Sequence, residues 1–411
     1  MTVVKLNAIQ ILGLSAFGLV MGTWLKRRIP ILDYLNIPAS VLGGLIYAVL
    51  VVTLRDRVVN FEMDLVLQSI LMIAFFTTIG MGASLGLVKR GGPQVAWFLV
   101  IATVGAVMQN VVGIASASLF GLDALLGIVS GSVALTGGPA TALSFGPTFE
   151  QIGVAGATTL GVSSAMFGIT AGGLLGGFIG GSLIRKHGLK SQSRISHAAQ
   201  EELAEKALYN GHPAPEEPRF GGEGEQDESV LLRNVVLVCI AMGLGTIVSG
   251  WFVSMEITLP AYIGAMVVAA VMRNLDDKFK FAGVSPVHMD TIGNIALSLF
   301  IVMALLTLRL WELINLAVPM FAMLFAQLAL VWLMCLGVYR VMGRDYEAAV
   351  MAGGFCGFML GTTANAMACM SVLTEKYGPA PRAYIVVPLV GASLIDFTNA
   401  TIITQMTNML R

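Results

Sequence analysis

Charge is what this sequence has least of. Only 12% of its 411 residues are Asp, Glu, Lys or Arg, while 56% are apolar. A soluble globular domain carries about twice that share of charge. The shortage is also uneven, because 16 of the 48 charged residues lie between Arg185 and Arg233. The remainder has too few to solvate a surface of its size. A soluble enzyme and a disordered protein are thereby excluded, and a net charge of zero separately excludes a nucleic-acid binder. Histidine and cysteine are scarce as well, four of each. The histidines (187, 197, 212, 288) fall in loops and form no ligand cluster. Cys239, Cys335, Cys356 and Cys369 sit inside apolar runs with no CxxC pair, and read as small packing residues. No HExxH, nucleophile–base pair or pair of midplane aspartates is present, which argues against an intramembrane enzyme. No small-residue cleavage site follows Lys5, so the first apolar stretch reads as a retained span.

Long apolar runs are what the chain does have. About 20 such residues cross the roughly 30 Å hydrocarbon layer as a helix. Ten stretches qualify, loosely bounded at 8–25, 36–54, 66–88, 95–119, 152–184, 233–253, 258–272, 291–310, 315–340 and 382–408. Two more, 124–148 and 346–372, contain Thr-Gly-Gly-Pro-Ala-Thr (136–141) and Gly-Phe-Met-Leu-Gly-Thr-Thr (357–363), strings that break a helix in its middle. Broken backbone is tolerated at membrane depth only where protein or water satisfies it. Both read as re-entrant hairpins. The chain is expected to be an all-α polytopic membrane protein.

Placing the first span outside-to-inside puts 19 of the 24 Lys and Arg residues on the cytoplasmic side. The opposite orientation would break the positive-inside rule. Both termini are then external, and the charged loop 186–232 is a cytoplasmic linker, with a short amphipathic helix possible at 197–209.

The linker separates two halves, 1–185 and 233–411, that match at a constant offset of 222. Pro38-Ala39 recurs as Pro260-Ala261, Ile73-Ala74 as Ile295-Ala296, Asp123 as Asp345, Gly131 as Gly353 and Thr141 as Thr363. Each half holds five spans and one hairpin. Five is odd, so the halves are inverted and their hairpins enter from opposite faces. Inverted repeats with paired helix breaks mark secondary transporters.

Free N–H groups at a broken helix favour an anion, and free carbonyls favour a cation. The first break offers Thr136, Gly137, Gly138 and Thr141, with Ser132 and Ser144 near. The second offers Gly361, Thr362, Thr363 and Asn365. A plain glycine-rich helix contact is the competing reading. Asp396, near the middle of the last span, costs at least a few kcal/mol unless a cation or proton offsets it. Asn399 shares its helical face, so a cation could be held there. A structural, protonated Asp is the alternative. Gln109 and Asn110 in the fourth span are further candidates, although mid-span amides often only bridge helices. The run Gly168, Gly172, Gly176 and Gly180 lacks the strand and Lys-Ser/Thr of a nucleotide loop, and reads as a close helix contact.

Four strings go beyond class: Leu71 to Gly80, Met108-Gln109-Asn110, Gly293 to Leu313 with its Leu-Arg-Leu-Trp-Glu-Leu end, and Val386 to Asn399. Together they resemble the bacterial sodium/glutamate symporter family over nearly the whole chain except the loop. The resemblance implies sodium-coupled uptake of an acidic amino acid, with sodium, at Asp396, as the coupling ion and no cofactor. It also implies two inverted five-helix repeats with hairpins, and a homodimer in the inner membrane. Asp396, Gln109 and Asn110 stand where the family pattern has the same residues. The tips depart from it. Gly-Gly-Pro-Ala-Thr (137–141) replaces an expected Gly-Gly-His-Gly-Thr, Phe355 replaces a His, and Thr362-Thr363-Ala364-Asn365 replaces Ala-Thr-Pro-Thr. These departures predict weaker glutamate binding or a preference for another small anion.

A cation/proton antiporter and a passive channel also fit the broken helices. A single buried carboxylate counts against the first, and hairpins from two faces count against the second.

Overall fold

The computed structural model describes the chain apart from residues 1, 36, 56, 192–199, 201–223, 256–259, 281 and 411. The proposed helix at 197–209 therefore lies outside the described residues, save Gln200. The first half contains α1 (Ala8–Arg28), α2 (Pro30–Tyr34), α3 (Ala39–Leu54), α4 (Val66–Gly82), α5 (Leu85–Leu119), α6 (Ala124–Ile128), α7 (Gly138–Gln151) and α8 (Ala157–His187). The second contains α9 (Gly224–Ser254), α10 (Tyr262–Phe279), α11 (Pro286–Leu306), α12 (Leu313–Val341), α13 (Tyr346–Met359), α14 (Thr363–Tyr377), α15 (Pro381–Leu389) and α16 (Ile395–Leu410). Among the described residues, every apolar stretch of the sequence is mainly helical. Among the described residues, six helices are long and apolar enough to cross a membrane, while α3 and α4 are shorter, at 16 and 17 residues. This is a multi-pass helical membrane protein.

Four features differ from the sequence reading. The last span is two helices, α15 and α16, joined by a π-helical turn at Val390–Leu394. The third span ends at Gly82 rather than residue 88, and the next is kinked at Gly92, whose φ of 69° no ordinary helical residue adopts. Pro93 follows, its fixed φ suiting a helix start. The sixth span, read from the sequence as 233–253, is α9, which begins at Gly224, inside the stretch read as linker. Finally, Thr2–Leu6 and Val59–Met63 form a parallel two-stranded ribbon, β1 and β2, with Lys5 and Glu62 paired at 3.1 Å. Nothing in the hydropathy signals that ribbon.

Both broken segments begin alike. Asp123 caps α6 by accepting from the Leu125 N–H, and Asp345 caps α13 by accepting from the Ala348 N–H. In the first, α6 runs into a π-helical turn at Val129–Val133, the backbone departs from helix at Gly131, and α7 starts at Gly138. In the second, α13 ends at Met359 and α14 folds back against it, so that a Cβ on Gly357 would strike Ala366.

Helix packing in lipid gains little from hydrophobicity and depends on close approach and hydrogen bonds. The glycine stripe on α8 supplies the approach. A Cβ on Gly168 would strike the Leu360 carbonyl, one on Gly176 the Gly353 carbonyl at 2.6 Å, and one on Gly180 the Ala349 carbonyl at 3.1 Å. The stripe thus seats the second broken segment, as its spacing predicted. Large apolar side chains such as Phe17, Trp97 and Phe325 point outward, whereas Gln109, Asn110, Asn365 and Asn399 are at most 1% exposed. Polar groups occupy the centre and apolar ones the rim. That distribution suits a hydrocarbon solvent.

Candidate functional site

The two breaks meet. Gly138 has φ of +66°, and a Cβ there would lie 3.4 Å from the Gly361 carbonyl oxygen and 3.6 Å from Thr362 Cγ2. Gly138 opens α7, and Thr362 caps α14, its hydroxyl accepting from the Asn365 N–H at 3.4 Å. Two helix N-termini therefore converge, and each carries free N–H groups and the positive end of a helix dipole. Pro139 follows Gly138 and removes one of those donors.

Two amides from α5 hold the breaks: Gln109 ties one to the other, and Asn110 ties the first to α16. Gln109 Nε2 donates to the Met359 carbonyl at 2.8 Å, at the end of α13. Gln109 Oε1 accepts from the Thr136 hydroxyl at 2.5 Å, so one side chain joins both broken segments. Its backbone carbonyl in turn accepts from Gln327 Nε2 at 2.7 Å. Asn110 Oδ1 accepts from the Ser132 N–H at 2.9 Å, and Asn399 Nδ2 donates to the Ser132 carbonyl at 3.0 Å. The sequence-named Thr136, Gln109, Asn110 and Asn399 thus share one buried network. Asp396 lies one turn before Asn399, partly buried, within electrostatic reach of the Tyr262 hydroxyl.

The other sequence candidates sit at its edges. Thr363 rests its side chain on Gly391, so the second tip touches the π-helical turn that leads to Asp396. Thr141 packs on Gly137, within its own helix start. Asn365 turns away from the meeting point, donating to the Ile169 carbonyl of α8 at 2.6 Å.

Three participants escaped the sequence reading. Ser132 was seen only as a neighbour of the tip, yet it anchors both asparagines. Gln327 is an amide within an apolar span, a signal that was present and passed over. Tyr262 is fully buried, stacked on Phe76 with ring centroids 3.6 Å apart and set edge-on to Phe145. Its hydroxyl has no hydrogen-bond partner. A tyrosine in an apolar run usually needs a partner for its hydroxyl, and that was its signal.

A cavity of about 1160 Å³ opens beside α7, lined among others by Gln68, Ser144, Thr148, Glu150, Arg309 and Asn408. Arg309 pairs with Glu312 at 3.4 Å and keeps its side chain 61% exposed, so it faces the cavity mouth as a solvated cation. Glu150 accepts from the Thr158 N–H at 3.0 Å. Ser144 and Gly138 lie on the same helix, which connects the cavity wall to the meeting point of the tips.

The chain is similar to known proteins over nearly its whole length. The sodium/glutamate symporter family profile matches residues 4–379. The sodium/glutamate symporter of Escherichia coli (strain K12) is 36% identical over 408 residues, covering 97% of this chain and 96% of that protein. The sodium/glutamate symporter of Haemophilus influenzae is 32% identical over 398 residues, covering 96% and 95%.

Proposed function

This chain belongs to the sodium/glutamate symporter family, and from that membership we propose that it carries glutamate with sodium by alternating access between two inverted halves. It is a transporter and not an enzyme. The observation that carries the site assignment is the convergence of the α7 and α14 N-termini at Gly138, Gly361 and Thr362. Free N–H groups and two positive dipole ends there receive a carboxylate of the substrate. Each dipole end contributes about 0.3–1 kcal/mol to a nearby anion, more when partly buried. The coupling ion takes the opposite polarity. Asp396, in the last span, supplies its negative charge.

Packing supports the inverted halves. Helix α3 packs on α11, and its offset counterpart α10 packs on α4, while α4 and α11 pack on each other. The broken segments α6–α7 and α13–α14 act as re-entrant hairpins from opposite faces, meeting at their tips. The cavity beside α7 is the outer vestibule, on the side of both termini: Asn408 and Leu65 line it, and Leu65 follows the ribbon that holds the N-terminus. Arg309 attracts the anionic substrate at its mouth. The loop 186–232 lies in the cytoplasm, and the protein works as a homodimer in the bacterial inner membrane.

Uptake of labelled glutamate into proteoliposomes tests the reading. An inward sodium gradient drives accumulation, and an inward proton gradient without sodium does not. Asp396→Asn weakens the sodium dependence strongly while the protein still inserts. Equal uptake on a proton gradient alone would overturn sodium coupling, and undiminished sodium coupling in the Asn variant would overturn the role of Asp396.

A further inference from the structure

Ser132 is gripped at both ends of its own main chain. Its N–H donates to Asn110 Oδ1 at 2.9 Å. Its carbonyl accepts from Asn399 Nδ2 at 3.0 Å and from the Gly137 N–H at 2.9 Å. Three groups are thus spent on immobilising one serine of a π-helical turn, and π-helical turns often stand at functional sites. The group left over is the hydroxyl. Ser132 Oγ is buried and has no hydrogen-bond partner. Asn399 Oδ1, on the amide that reaches Ser132, is also buried and has none.

An unpaired buried polar atom costs about 1–3 kcal/mol. Two of them, held at one contact by two different elements, indicate a ligand that both oxygens serve. An anion does not fit, because Asn399 Oδ1 offers only lone pairs and Asp396 lies one turn away on the same face. A bare, hard cation does fit, since neutral oxygens and a carboxylate are the ligands such ions select.

We propose that Ser132 Oγ and Asn399 Oδ1 are direct ligands of the coupled sodium ion, with Asp396 as its counter-charge. The proposal rests on the symport reading and deepens it, because it places the ion where the first break meets the last span. Asn110 is then a positioning residue: it holds Ser132 without reaching the ion. Sodium binding orders the contact between α16 and the first break, next to the carboxylate site at Gly138. That neighbourhood is what makes binding of ion and substrate interdependent.

The test uses the purified full-length protein in potassium buffer, titrated with sodium chloride without glutamate. Sodium raises the melting temperature of the wild type, as any ligand of the folded state does. Ser132→Ala removes an unpaired hydroxyl, so in the absence of sodium it melts at the wild-type temperature or above. It requires about tenfold more sodium for the same shift, and about tenfold more for half-maximal glutamate uptake. Ser132→Cys, which keeps the shape but offers a soft sulfur to a hard ion, behaves in the same way and serves if the alanine variant does not fold. Unchanged sodium dependence in these variants, beside sodium-driven uptake by the wild type, overturns the site and leaves the symport reading standing. A sodium shift that the variants lose, in a wild type that does not transport glutamate, keeps the site and overturns the symport reading. A wild type indifferent to sodium in both melting and uptake overturns both.

Discussion

Gly138 and Gly361 touch across the centre of the protein: a Cβ on the first would lie 3.4 Å from the carbonyl oxygen of the second. Neither glycine is in a regular helix interior, and Gly138 holds φ of +66°. An L side chain in that region costs about 1–2 kcal/mol. Gly138→Ala is therefore expected to displace the first tip from Gly361 and to lower glutamate uptake, with a lower melting temperature. Uptake is normalised to inserted protein. Wild-type uptake would show that the tips tolerate displacement.

Gln109 bridges both broken segments through Thr136 and the Met359 carbonyl. Gln109→Leu fills similar space, takes the side-chain donor from the buried Met359 carbonyl and leaves the Thr136 hydroxyl only the weak Met359 sulfur acceptor, a loss of about 1–3 kcal/mol for a buried group left unsatisfied. The expected result is a lower melting temperature together with a lower maximal transport rate. A loss of stability with normal transport would reduce Gln109 to a helix bridge.

Ser144 lines the cavity and Thr363 lies at the second tip, on Gly391. Cysteines placed at these two positions, in a background without the four native cysteines, are expected to react with a membrane-impermeant thiol reagent. Saturating substrate is expected to suppress both reactions. Protection of neither would remove the tips from the binding site.

Pro139 and Ala140 occupy the buried start of α7, where the family pattern led us to expect His and Gly. Pro139 has neither the N–H nor the side-chain donor that a histidine would bring there. Installing Pro139→His with Ala140→Gly restores donors toward a carboxylate, each charge-assisted bond contributing about 1.5–3 kcal/mol. Calorimetry in saturating sodium is expected to find glutamate bound about ten- to hundredfold more tightly by the double variant. Equal affinity would show that the departure carries no cost.

Much of this was legible in the chain. Apolar runs must become helices in lipid, because no water is there to satisfy a peptide group, so hydropathy marked where the long helices lie. The breaks were legible for the same reason: Gly137-Gly138-Pro139 and Gly361-Thr362 cannot continue a helix. The Gly168 to Gly180 stripe announced a close contact, although not its partner. Tertiary structure alone decided which breaks meet and which oxygens remain unpaired. Ser132 illustrates the difference. One hydroxyl in a glycine-rich stretch carries no signal by itself, since serines commonly bond their own helix. Its importance follows from Asn110, 22 residues away, and Asn399, 267 residues away, closing on its main chain. Local physics writes helix and break into sequence. The coincidence of distant polar groups at one point is set by how the helices pack, and only the folded chain records it.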